Sequence, residues 1–208
     1  MADCCNNTTG FDGQSPAYRR TLWIVIGINA IMFAVEMVTG ALSGSQALQA
    51  DALDFAGDTA TYALSLWVIG KPLLWRSRAA TFKGLSLLVM GATVLIMTLQ
   101  ASMRPEPPVA LWMGSVAVLA LVANVVSALL LMRFRDGDAN VRSVWLCSRN
   151  DAIGNLGVLV AAVLVAWLDS PWPDLIFALI MASLFTHSAV SILRQARQEA
   201  SQPTDSTH

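Results

Sequence analysis

The chain has 208 residues, of which 55% are hydrophobic and only 13% charged, and its formal net charge is −1. A soluble domain carries about 25% Asp, Glu, Lys and Arg, so this chain lacks the polar surface to stay in water on its own. Near-neutral charge, three cysteines and the apolar excess also exclude a disordered segment, a disulfide scaffold and a nucleic-acid binder, which leaves an integral membrane protein.

Six apolar runs are predicted to be helices, at 20–42, 46–70, 79–103, 109–133, 142–168 and 173–196. Each is long enough to cross a hydrocarbon core about 30 Å thick, which takes roughly 20 helical residues. The runs are too long for barrel strands and do not alternate. Breakers separate them: Ser43-Gly44-Ser45, Lys71-Pro72, Pro105 to Pro108, Asp136-Gly137-Asp138, and Ser170-Pro171-Trp172-Pro173. The expected fold is therefore an all-α integral membrane bundle of six transmembrane helices over 18–198. It is flanked by polar tails at 1–17 and 199–208, with no second domain. Residues 1–17 lack the basic stretch and apolar core of a signal peptide.

Basic residues orient the bundle. Arg19, Arg20, Lys71, Arg76, Arg78, Lys83, Arg133, Arg135, Arg142, Arg194 and Arg197 fall on one side, Arg104 on the other, and Arg149 inside the fifth helix. Both termini are expected to be cytoplasmic, in a prokaryotic inner membrane.

Ionisable groups inside a membrane mark function. An aspartate at mid-helix costs about 2.5–3.5 kcal/mol on insertion scales. The second helix nevertheless carries Asp51, Asp54 and Asp58 within about 60° of one another at 100° per residue. On the fifth helix Cys147 and Asp151, four apart, share a face. At 1.5 Å per residue, Asp54 and Asp58 lie roughly 12–18 Å from the outer edge and Asp151 roughly 13 Å from the inner edge. The two pairs overlap near the midplane, where antiparallel helices can supply four donors to a tetrahedral metal ion. Any one of these aspartates alone could be a helix-to-helix hydrogen-bond partner, and Asp51 could simply anchor the first turns of its helix.

The stretch Asn29-x3-Phe33-x2-Glu36-x3-Gly40-x2-Ser43-Gly44-Ser45-x-Ala47-Leu48-x-Ala50-Asp51-Ala52-x-Asp54-x3-Asp58 resembles the first two helices of cation diffusion facilitator transporters. Asn140-Val141-Arg142-x8-Asp151-Ala152-x-Gly154-x2-Gly157-Val158 resembles their fifth. The resemblance implies metal–proton antiport, a homodimer, and a transport site made by Asp54, Asp58, Cys147 and Asp151. Two departures stand out. The position four before Asp151 is usually histidine and here is Cys147, and the chain stops at His208, short of the family's usual carboxy-terminal cytoplasmic domain. Dimer contacts are then expected from the membrane helices.

Three carboxylates and a thiol suit soft or borderline divalent metals better than magnesium or calcium, so Zn2+ and Cd2+ are the expected cargo, with Hg2+ a further candidate and protons the counter-ion. Metal binding needs deprotonated ligands and so releases protons. Gly57, Gly154 and Gly157, with Ala52, Ala56 and Ala60, would let helices approach as alternating access requires. Glu36, Asp51, Asn150 and Asn155 are candidates for a proton relay or for groups supporting the ligands. Arg149 is expected to snorkel or pair with an acid, His187 to be a packing residue, Asn124 to orient helices, and Cys4 and Cys5 to be free thiols on a tail. Tryptophans 23, 75, 112, 167 and 172 flag interfaces. Competing functions are a passive cation channel and a non-transporting metal receptor. No nucleophile–base pair points to an enzyme.

Overall fold

The computed structural model describes residues 15–68, 73–136 and 139–201, with side chains omitted for 73–80, 139–143 and 195–201. Six helices follow in order: α1 Pro16–Ser43, α2 Gln46–Val68, α3 Leu73–Ser102, α4 Ala110–Met132, α5 Ala139–Leu168 and α6 Trp172–Ser201. The predicted runs each become one helix. α1 starts four residues early because Ser15 caps it, its Oγ accepting from the Tyr18 amide at 3.2 Å, with Pro16 in the first turn. α6 continues to Ser201, past the start of the expected tail. Cys4, Cys5, Lys71, Pro72, Gly137 and Asp138 lie outside the described residues, as does the side chain of Trp75.

Five helices contain a stretch long and apolar enough to cross a membrane; α2 is the exception. Every 18-residue stretch of α2 contains Asp51, Asp54 and Asp58, and these remove it from that set. The bundle solves the problem by position. α2 packs against α1, α3, α5 and α6, and its broadest contact is with α1. α3 pairs mainly with α6, and α4 with α5. Outside this centre lies a belt of exposed apolar side chains, including Ile31, Val89, Leu111, Val163 and Ile176, with Trp23, Trp112, Trp167 and Trp172 also exposed. Such a surface is stable against lipid, not water.

The end opposite the basic one is closed by polar bonds. Gly44, at φ 75°, provides the left-handed turn between α1 and α2, and the Ser45 amide bonds back to the Gly40 carbonyl at 3.0 Å. Asp174, reaching over from α6, receives Ser45 Oγ at 2.6 Å, the Gln46 amide at 2.7 Å and the Ala47 amide at 3.1 Å. A side chain of α6 thus caps α2. The Val109 amide bonds to the Ser43 carbonyl at 3.0 Å, tying the α3–α4 connection to the same turn. At the basic end, Tyr18, Leu22, Tyr62, Leu66, Leu131 and Val144 form an apolar cluster, and Arg133 bonds Thr21 Oγ1 at 2.8 Å.

Close approach falls on particular small residues. A Cβ on Gly157 would collide with the Phe177 ring, and one on Gly91 would stand 2.8 Å from Thr186 Oγ1. Gly154, expected to serve the same purpose, has nothing within 4 Å of that position, and Ala60 is exposed. Their faces of α5 and α2 carry no tight helix contact.

Candidate metal site

The acidic stripe of α2 faces the stripe of α5 across the bundle interior. Asp54 and Asp58 both approach Asp151 through their side chains, although one Asp151 oxygen, Oδ2, remains without a partner. Asp58 is buried, while Asp54, Asp151 and Cys147 are half-buried. Cys147 is a free thiol packed beside the Tyr62–Leu66–Val144 cluster, within the electrostatic reach of Asp54 and Asp58. The four side chains singled out in the sequence therefore lie around one another between α2 and α5. They do not form a closed coordination shell: among the described residues no three His, Cys, Asp or Glu groups meet ion-holding geometry. The carboxyls engage each other instead.

Two participants are absent from the sequence-based expectations. The Tyr62 hydroxyl donates to Asp58 Oδ2 and stands 3.2 Å from Ser148 Oγ, so it bridges α2 to α5 directly beside the acids. Its place was legible, since Tyr62 is four residues after Asp58 and hence on the same face. Lys83, counted by sequence only among the orienting basic residues, sits half-buried on α3 within electrostatic reach of Asp54, Asp58 and Cys147. It lines a small cavity of about 20 Å³ between α2 and α3 with Gly57, Thr61 and Met90. A cation there moderates the repulsion among the acids.

The candidate supporting groups divide. Glu36, Asp51 and Asn155 are buried, and each leaves polar atoms without hydrogen bonds. Asn124 is also buried, with its Oδ1 unpartnered. Asn150 turns away: it is exposed, and its Oδ1 accepts from Arg149 at 3.2 Å, because a residue next to Asp151 points about 100° round the helix. Arg149 pairs with no acid among the described residues; its guanidinium lies 5.3 Å from the Trp145 ring centre. His187 is exposed rather than packed, and lines a groove on α6 with Ser183, Ser191 and Arg194.

The cation efflux transmembrane domain matches residues 22–72 and 75–199, which takes in all six helices. The chain belongs to the cation efflux family. It is thus a transporter of metal cations and a multi-pass protein of a bacterial inner membrane. It is similar to the zinc transporter ZitB of Escherichia coli, 28% identical over 212 residues covering 96% of this chain and 67% of that protein. It is also similar to the metal cation efflux system protein CzcD of Cupriavidus metallidurans, 27% identical over 177 residues, 78% of this chain and 55% of that one. The cadmium, cobalt and zinc/H(+)-K(+) antiporter of Bacillus subtilis is 21% identical over 201 residues, 90% of this chain and 65% of that one. The chain therefore spans about two thirds or less of the length of these relatives.

Proposed function

We propose that this cation efflux protein exports Zn2+ or Cd2+ from the cytoplasm in exchange for protons, by alternating access around Asp54, Asp58, Cys147 and Asp151. In this reading all six helices span the membrane, the basic end faces the cytoplasm, and two chains associate through their membrane helices. The observation that carries it is the meeting of the α2 acids with Asp151 of α5 deep in the bundle, inside a chain whose family transports cations.

The chemistry follows from the donors. An arriving cation replaces acid–acid contacts by acid–metal contacts, and the ligands give up protons as it binds. Protons entering from the outer side then compete for the same oxygens and the sulfur, and expel the metal. Tyr62 holds Asp58 in position during the exchange, as groups behind metal ligands commonly do. The thiol of Cys147 favours thiophilic ions, which suits the cadmium, cobalt and zinc named for the Bacillus relative. A channel reading fares worse, since conduction needs a polar path open from end to end, whereas apolar clusters lie on both sides of the acids.

The test is zinc-driven proton flux in proteoliposomes. Asp58→Ala and Asp151→Ala abolish the flux if this site carries the ion, and undiminished flux in either variant rejects it. Cys147→Ser reduces cadmium transport more than zinc transport; equal loss removes the thiol from the selection.

A further inference from the structure

Glu36 is fully buried on α1, and its carboxyl engages the carboxyl of Asp51, with no N–H or hydroxyl donor reaching either of its oxygens. It faces Asp51 across the α1–α2 interface, where Asp51 is 2% exposed and its Oδ2 is likewise unpartnered. A third helix contributes independently. Asn155 on α5 is fully buried, and both its Oδ1 and its Nδ2 lack partners.

The levels of the three agree. Asp151 meets Asp54 and Asp58, which fixes α5 against α2. Asn155, one turn further along the same face, lies about 6 Å nearer the outer end, and Asp51 about 5 Å nearer than Asp54. Glu36 is held at the level of Asp51 by their contact. Both stripes of the transport site thus continue outward by one turn, and α1 adds a carboxyl at that height. Buried polar atoms are almost always hydrogen-bonded, and unpaired acids in a membrane interior are costly. Two carboxyls that meet only each other and an amide with no partner, from three helices at one level, are what a guest ion would satisfy.

We propose that Glu36, Asp51 and the Asn155 amide oxygen form a second cation position, made of oxygen donors alone, on the outer side of the thiol-containing site. It takes a divalent cation in transit outward. Lacking sulfur, it has no preference for soft metals and binds more weakly than the inner site, as a position that must pass its ion on requires. The proposal rests on Asp54, Asp58, Cys147 and Asp151 being the transport site.

The test is a Co2+ titration, in nanodiscs, of the full chain with Cys4 and Cys5 replaced by serine, so that Cys147 is the one thiol left. Thiolate-bound cobalt gives a strong charge-transfer band, whereas oxygen-bound cobalt does not. This parent is expected to bind two ions per chain, only the tighter one producing the band. Glu36→Gln with Asp51→Asn keeps the band and loses the second ion. Asn155→Asp, which adds a carboxyl, tightens the second ion about 10-fold; this gain is not produced by misfolding. A single ion in the parent, two ions in the double variant, or no change with Asn155→Asp overturns the proposal. Cys147→Ser separates the two readings: a band that survives it refutes the inner site, while the count of ions still reports on Glu36 and Asp51.

Discussion

Asp174 is the clearest place to test how this fold is held. It is 1% exposed and is the acceptor for Ser45 Oγ, the Gln46 amide and the Ala47 amide, at 2.6, 2.7 and 3.1 Å. Asp174→Ala leaves three donors without their acceptor at the start of α2. A buried donor left unpaired costs about 1–3 kcal/mol, so the ceiling is near 9 kcal/mol. Two of the donors are first-turn amides at the end of the bundle, where water can enter the space left by the carboxyl, and loss of a helix cap alone costs about 0.5–2 kcal/mol. The expected destabilisation is about 3–5 kcal/mol, and about half that for Asp174→Asn, which keeps one acceptor oxygen. In a chain of this size about 2–4 °C accompanies each kcal/mol, so thermal unfolding followed by tryptophan fluorescence should fall by about 10 °C for the alanine variant. The asparagine variant should lie between. A melting temperature for Asp174→Ala within about 2 °C of wild type would refute the capping argument.

Tyr62→Phe removes the hydroxyl that holds Asp58 and bridges to Ser148; zinc affinity by calorimetry should fall about 10-fold, with the fold intact. Gly157→Ala drives a methyl into the Phe177 ring and should destabilise by about 1–3 kcal/mol. Phe177→Leu in the same chain should restore most of that loss, and failure to do so would remove the contact as the cause. Zinc affinity should weaken as pH falls, because protons compete for the ligands, and proton release measured in lightly buffered solution should accompany binding.

The helices were legible because lipid imposes one simple rule on every span, and the punctuation between spans is chemically explicit: the Ser43-Gly44-Ser45 turn and the Pro-rich segment before α4 sit where expected. The acidic stripes were legible for the opposite reason, being too costly to overlook. Other features depend on three-dimensional packing that spacing does not encode. Nothing in the spacing of Asp174 tells that α6 delivers it to the start of α2, 128 residues away in the chain from Gln46. Lys83 counts only toward the orientation of the bundle until α3 turns it toward the acids. Gly154 and Gly157 are equivalent in composition, yet only the second meets an aromatic ring, and Asn150 is separated from the site by a single helical step.

The tight join between α1 and α2 bears on how such a protein is built. Taken alone, α2 is a poor candidate for entering lipid, with three acids in every membrane-length stretch. Its neighbour α1 is strongly apolar, lies along it, and is joined to it by a two-residue turn at Gly44 and Ser45. With α2 crossing the bilayer as proposed, the two are expected to insert during synthesis as one hairpin, the greasy arm carrying the polar one across. The acid-bearing helix is then a passenger at birth, carried by its apolar partner.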